Sequence, residues 1–117
     1  MKLMCMGLLA ILFAGGGNDE LTGSWETKPS PKGNITRVVF KADHSFEGFI
    51  NKKPFTSGNY TYENGLLYFT DNGCGGKSAR YKIVFFSNSD SLRFEAVNDS
   101  CEERRKGMVR TILGRIK

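Results

Sequence analysis

Few side chains in this 117-residue sequence have the types and spacing that catalysis or metal binding requires. An enzyme needs a positioned base and nucleophile, but the one histidine, His44, lies in a predicted hairpin turn. The adjacent acids Glu102 and Glu103 precede two arginines, which is typical of solvated ion partners. The segment 71–73, Asp-Asn-Gly, resembles the start of a calcium loop without its further oxygen ligands. We therefore predict that the protein is not an enzyme and holds no metal or cofactor.

Residues 1–16, MKLMCMGLLAILFAGG, have the pattern of a secretory signal peptide. Lys2 precedes an apolar run over 3–13, and small residues follow the run. A membrane anchor and a buried first strand are the alternatives, although a membrane span needs roughly 20 residues. A lipid anchor would require a cysteine at the position of Gly16, so we expect none. This interpretation predicts a signal peptide over 1–16, a domain over 17–117, and a periplasmic or secreted protein whose only membrane contact is through the uncleaved signal.

Removal of that signal takes Cys5 with it and leaves Cys74 and Cys101. Two free thiols or part of a metal site are the alternatives to a disulfide bond. The single histidine and the absence of a Cys-x-x-Cys pair leave too few ligands for zinc. An even number of cysteines in an exported domain is typical of disulfides. We therefore predict a bond between Cys74 and Cys101.

The residues after position 20 alternate between apolar and polar types, and turn residues interrupt every apolar run. This pattern predicts an all-β protein without helices, with strands near 21–28, 34–42, 45–51, 56–63, 65–71, 77–87, 91–98 and 106–117. Short turns such as Asn64-Gly65 alternate with longer connections over 29–33, 51–55, 71–76 and 99–105. The longer connections, and both cysteines, therefore belong to one end. Eight strands favour an antiparallel up-and-down barrel, which leaves no exposed edge, and a two-sheet β-sandwich is the alternative.

Four short motifs resemble, in their order, those of small bacterial lipocalin-like (calycin-type) exported domains. They are Gly23-x-Trp25, the Asp-His-Ser-Phe hairpin at 43–46, Gly58-x-Tyr60 and Asp99-x-Cys101-x-x-Arg104. The resemblance covers most of 21–117 and implies a lipocalin-like barrel with a cation packed on the motif tryptophan. Because the last strand runs antiparallel to the first, Arg115 is the candidate for that cation. Structural roles are therefore predicted for Gly23, Trp25, Asp99, Arg104 and Arg115.

The alternation also assigns the side chains that face the barrel interior. With the resemblance, it predicts a site for a small apolar or amphipathic ligand. The predicted lining is Val38, Phe40, Phe46, Tyr60, Tyr62, Phe69, Tyr81, Ile83 and Phe94, and the other inward side chains include Ile50, Leu67, Phe85 and Leu92. An eight-stranded barrel is just wide enough either to be filled by side chains or to hold one small ligand, and both stay open. The tyrosines favour a cavity, because a buried phenol needs a hydrogen-bond partner.

The net charge is +5, and many of the cations fall in the longer connections. Among them, Lys52 and Lys53 are predicted to stand at the barrel mouth and attract an anionic head group such as that of a fatty acid. Ordinary solvated loop charge is the alternative. Nucleic acid is not expected, since acids interleave with the bases and no stacking platform is evident.

Two functions follow from the sequence. The first is a monomeric carrier that binds a small hydrophobic or anionic amphipathic ligand inside the barrel. The alternative is a protein-binding or inhibitor-type envelope module, in which the barrel is filled and the disulfide-tied loops are the contact surface.

Overall fold

The computed structural model describes residues 20–117. In this part of the chain, the segments in which apolar and polar residues alternate form eight β-strands. The predicted signal peptide, 1–16, lies outside the described residues. The strands are β1 (Gly23–Glu26), β2 (Thr36–Phe40), β3 (Ser45–Ile50), β4 (Lys53–Glu63), β5 (Leu66–Asp71), β6 (Ala79–Phe86), β7 (Ser91–Asn98) and β8 (Ile112–Arg115). A 3-10 turn (Cys74–Gly76) follows β5, and helix α1 (Glu102–Val109) lies between β7 and β8.

Each strand pairs antiparallel with the next, and β8 pairs with β1 to close the barrel. The closing ladder is short: Trp25 lies opposite Arg115, and Glu26 lies opposite Gly114. This topology confirms the predicted eight-stranded up-and-down barrel and shows that the β-sandwich alternative is wrong. The connections gather at two ends, here named the hairpin end (41–44, 64–65 and 87–90) and the loop end (27–35, 51–52, 72–78 and 99–111).

The connection between β3 and β4 is shorter than the sequence predicts. Asn51 and Lys52 have φ of 51° and 71°, which makes a two-residue turn of the kind that joins adjacent strands tightly. The predicted loop over 51–55 is therefore wrong, and β4 already begins at Lys53. The proline at position 54 concealed this start because proline weakens a strand assignment. An irregular register between β3 and β4 near Phe49 accommodates it.

Helix α1 covers the second half of the loop that was predicted over 99–105. It also covers the first residues of the strand that was predicted over 106–117. Its first turn holds Glu102 and Glu103 and its last turn holds Lys106, an order that suits the helix dipole. No residue of α1 is fully buried, so the helix carries too weak an apolar pattern to be read from sequence. The prediction of a helix-free chain is wrong here. No helix in 20–117 is long and apolar enough to cross a membrane.

Apolar side chains form a buried core inside the barrel. The buried core consists of Leu21, Trp25, Phe40, Phe46, Tyr60, Leu67, Phe69, Ala79, Tyr81, Ile83, Leu92, Phe94 and Leu113. Val38, Tyr62, Phe85 and Met108 pack against it.

Candidate functional site

A cavity opens at the loop end above the packed core. Its volume is about 1500 Å³, which includes the mouth and an outer groove beside β8 where Phe86 and Ser91 lie. Within the barrel its apolar lining comprises Val38, Phe40, Phe46, Leu67, Phe69, Phe94 and Leu113. Met108 of α1, Ile50 and Phe55 line it nearer the mouth. The described part of the chain thus forms a cup that is closed below and open above.

Phe46, Phe69 and Phe94 form the aromatic floor of this cup, and their ring contacts run through Tyr81, which does not itself line the cavity. The ring centroids of Phe46 and Phe69 are 5.7 Å apart with perpendicular planes. Phe69 also stacks on Tyr81 at 5.9 Å, and Tyr81 meets Phe94 edge-on at 6.2 Å. Such pairs add about 0.5–1.5 kcal/mol each beyond the area they bury. The floor is therefore a packed surface with few adjustable parts.

The predicted lining residues divide between the cavity and the core. Val38, Phe40, Phe46, Phe69 and Phe94 line the cavity, whereas Tyr60, Tyr62, Tyr81 and Ile83 do not. Tyr60 donates its hydroxyl to the carbonyl oxygen of Lys41 at 2.8 Å, and Tyr81 donates to the Asp99 carboxylate. The phenols of Tyr60 and Tyr81 therefore have protein partners and do not require a ligand.

The lysines predicted at the mouth stand elsewhere. Lys52 borders a separate groove on the outer face of the barrel with Val39 and Phe49, and Lys53 is exposed and does not line the cavity. Four cations in the described part of the chain line the cavity, Lys28, Arg104, Arg110 and Arg115, and of these Lys28 and Arg110 lie at the mouth without having been predicted as site residues. Glu103 of α1 lines the same mouth and offsets part of their charge.

A buried ionic network forms one wall of the cavity. Arg104 of α1 donates from Nε to Asp99 Oδ2 at 3.0 Å and from Nη2 to Asp99 Oδ1 at 2.9 Å. Its Nη1 donates to Asp71 Oδ1 at 3.1 Å, and Nη2 also reaches the carbonyl oxygen of Lys77 at 3.1 Å. The Arg104 side chain is only 8% exposed, Asp71 12% and Asp99 0%. The guanidinium lies over the Phe69 ring at 5.1 Å, so the network rests on the aromatic floor.

The network shifts the acidity of its members. Burial alone would raise the pKa of the Asp99 carboxyl, but hydrogen bonds from Arg104, Tyr81 and the Cys101 N–H outweigh burial and lower it. The hydrogen bond to Asp99 is the main cause that raises the pKa of Arg104. Burial, and then the hydrogen bond to Asp99, raises the pKa of the Tyr81 hydroxyl. Asp99 therefore stays ionised and Tyr81 neutral at neutral pH.

The predicted disulfide bond joins Cys74 to Cys101. It links the 3-10 turn after β5 to the residue that precedes α1, with Cα atoms 6.0 Å apart. The Cys101 N–H donates to Asp99 Oδ1 at 2.9 Å, so the bond and the ionic network hold the same wall. The first turn of α1 is thereby tied covalently to the end of β5.

Arg115 closes the opposite, hairpin end. Its guanidinium lies 4.2 Å from the centroid of the Trp25 ring, and Nη2 donates to the carbonyl oxygen of Glu20 at 2.7 Å. Trp25 is fully buried and donates Nε1–H to the carbonyl oxygen of Leu21 at 2.8 Å. A Cβ atom on Gly23 would lie 3.5 Å from Nη1 of Arg115, so the guanidinium passes close to that backbone. Arg115 also borders the outer groove beside β8, and the cluster supports the fold.

Asp71 is the member of the ionic network whose role sequence reasoning missed. Its position was considered only as part of a calcium loop. The alternation along β5 contains the relevant signal, because Leu67, Phe69 and Asp71 share the inward face. An acid in that series indicates a buried partner, but Arg104 is 33 residues away in the chain.

Within 20–117, no group of three or more histidine, cysteine or acidic side chains is arranged to hold a metal ion. His44 lies at the hairpin end, with its ring 5.9 Å from that of Tyr60.

No protein-family model matches the chain. A search of curated proteins finds no significant relative. The closed eight-stranded antiparallel barrel is compatible with a calycin-like fold.

Proposed function

We propose that this protein is an exported, lipocalin-like carrier that binds one small apolar or amphipathic molecule in the loop-end cavity. The observation that carries the proposal is the apolar cavity at the loop end, whose lining includes the inward aromatic side chains Phe46, Phe69 and Phe94. Typical ligand sites are concave, mostly apolar and largely pre-formed. The proposal assigns the protein no catalytic step.

The cavity wall has the rigidity that a pre-formed site needs. The disulfide ties β5 to α1, and Arg104 ties α1 to Asp99 and Asp71. Met108 of α1 packs on the core from the side of the mouth. Because the walls are fixed by folding, a ligand does not have to order them when it binds. Burial of apolar surface contributes about 25 cal/mol per Å², and little of this free energy is then offset by a cost of ordering the protein.

Export is part of the proposal. A disulfide persists in oxidising compartments such as the periplasm or the extracellular space and is rare in the cytosol. The Cys74–Cys101 bond therefore supports the interpretation of 1–16 as a signal peptide.

Binding is tested with the neutral apolar probe N-phenyl-1-naphthylamine, whose emission rises in an apolar site. Val38→Trp places a large side chain in the cavity, where it occupies volume that the probe would otherwise fill. We expect probe affinity to fall at least about tenfold. Val39→Trp adds the same side chain to the outer face of the same strand and is expected to leave affinity unchanged. Equal affinity in both variants, or no probe binding by the wild type, would refute a site in the barrel.

A protein-binding role is the second candidate, and one observation favours it. Phe55 and Ile112 are large apolar residues near the mouth, and they are 52% and 57% exposed. Exposed apolar patches mark interaction sites. Native mass spectrometry of protein purified from its source separates the two functions, since a carrier retains a mass of a few hundred daltons and an inhibitor-type module does not.

A further inference from the structure

One carboxylate oxygen in the cavity wall is left for a ligand. Asp71 Oδ1 accepts hydrogen bonds from the Gly73 N–H at 3.0 Å and from Arg104 Nη1 at 3.1 Å. Asp71 Oδ2 makes no hydrogen bond to any residue in 20–117. Asp71 lines the cavity, two residues along the inward face from Phe69. That spacing puts the carboxylate roughly 7 Å farther along β5 toward the loop end than Phe69.

The neighbouring strand leaves this carboxylate uncovered. The cross-strand partner of Asp71 on β4 is Gly58, which has no side chain. A Cβ atom there would lie 1.9 Å from the carbonyl oxygen of Thr70, so the backbones approach too closely for any larger residue. Phe46 follows on β3, paired with Gly58. A molecule resting on the aromatic floor can therefore reach Asp71 across the glycine.

The charge immediately beside Asp71 disfavours an anion there, whereas the cavity lining formed by 20–117 as a whole holds four cations, Lys28, Arg104, Arg110 and Arg115, and three acids, Glu26, Asp71 and Glu103. Asp71 and Asp99 contribute two carboxylates against the single guanidinium of Arg104. Nε and Nη2 of Arg104 are already bound to Asp99 and to the carbonyl oxygen of Lys77. A second carboxylate brought to this wall would face Asp71 in a poorly solvated site, where like charges repel strongly. A donor would instead gain a hydrogen bond to an ionised acceptor.

We propose that the cavity binds an apolar molecule whose polar group is a hydrogen-bond donor, an alcohol or an amine, which donates to Asp71 Oδ2. The inference rests on the proposed function, because it names the ligand class of the same cavity. It differs from the sequence expectation of an anionic head, which relied on a basic rim at the loop end that includes Lys52 and Lys53. Neither of these two lysines lines the cavity, and the mouth cations Lys28 and Arg110 are set against Glu103.

Competition among molecules with the same chain tests the inference. Decylamine, 1-decanol and decanoate are each used, below their aggregation concentrations, to displace N-phenyl-1-naphthylamine from the wild-type protein. A hydrogen bond to a charged group is worth about tenfold in affinity, so we expect decylamine to compete at least about tenfold better than decanoate. Equal competition by 1-decanol and decylamine would assign the preference to the hydrogen bond, and competition by the amine alone would assign it to charge.

Asp71→Asn then removes the charge while keeping the shape, and an amide oxygen still accepts from Arg104. The ratio between decylamine and decanoate is expected to fall to within about threefold. Glu95→Gln is the matched control, since Glu95 pairs with Arg93 on the barrel exterior and is expected to leave the ratio unchanged.

The outcomes separate the two proposals. If the wild type binds the naphthylamine probe but decanoate competes as well as decylamine, the donor inference is overturned while the carrier proposal stands. An unchanged ratio in a folded Asp71→Asn protein overturns it too. Absence of probe binding overturns the carrier proposal itself. The wild-type series decides the question even if Asp71→Asn does not fold.

Discussion

The buried guanidinium of Arg104 is expected to be a main contributor to stability. Arg104→Met keeps an unbranched apolar chain but removes the charge that compensates Asp99 and Asp71. Because the Asp99 side chain is 0% exposed, its charge cannot be solvated in the variant. Removal of one partner of a buried pair costs about 3–5 kcal/mol. That loss is a large share of the roughly 5–15 kcal/mol available to a small domain.

The measurement is urea unfolding of the oxidised protein at pH 7, followed by the emission of Trp25, the single tryptophan. Arg93→Met is the control, because the Arg93–Glu95 ion pair has a similar distance, 2.8 Å, but both side chains are 44% exposed. Exposed pairs contribute about 0–1 kcal/mol. We therefore expect the same substitution to cost several-fold more at position 104 than at position 93.

The pH dependence provides a second check with a defined sign. In the wild type, the pKa of Asp99 is lower in the folded than in the unfolded protein, where it is near 3.8. Its contribution to stability is complete above that value and is lost as pH falls through the folded pKa. Without Arg104, the folded pKa of Asp99 rises, so the variant takes up the proton earlier and recovers stability relative to the wild type. The difference in unfolding free energy should therefore shrink in acid.

Two results would contradict this reasoning. A loss below about 1 kcal/mol for Arg104→Met at pH 7 would mean that the network is worth no more than a surface ion pair. Parallel loss of stability by wild type and variant down to about pH 3 would mean that Asp99 does not sense Arg104.

Two further predictions concern the two ends of the barrel. Trp25→Ala should lower the unfolding free energy by about 3–5 kcal/mol, because Trp25 is fully buried beneath Arg115; a loss below about 1 kcal/mol in urea unfolding would contradict this role. Mass measurement after alkylation without reductant should find no free thiol at Cys74 or Cys101, and reduction should cost about 3.5 kcal/mol for a separation of 27 residues. Two alkylated thiols in the folded protein would exclude the bond.

Much of the fold was predictable from short stretches of sequence. Alternation along β2 to β7 predicted the strands, and Asn64-Gly65 predicted a tight turn, with φ of 54° and 80°. These features depend on a few neighbouring residues and on sterics that any context preserves. Helix α1 was missed because eight residues without a buried face carry no periodic signal, and because part of its stability comes from Arg104 bound to Asp99.

The features of the candidate site likewise fall into those that local sequence determines and those that depend on tertiary packing. The sequence by itself determined the all-β class, the number of strands, the inward face of each strand and the pairing of Cys74 with Cys101. Only the tertiary structure decided that a cavity stays open inside the barrel, that Lys28 and Arg110 line its mouth, and that Asp71 pairs with Arg104. The reason is physical. Which face a side chain takes is set by its neighbours in the strand, whereas how far side chains fill a barrel, and which charges share its wall, depend on strand tilt and on packing between residues distant in the chain.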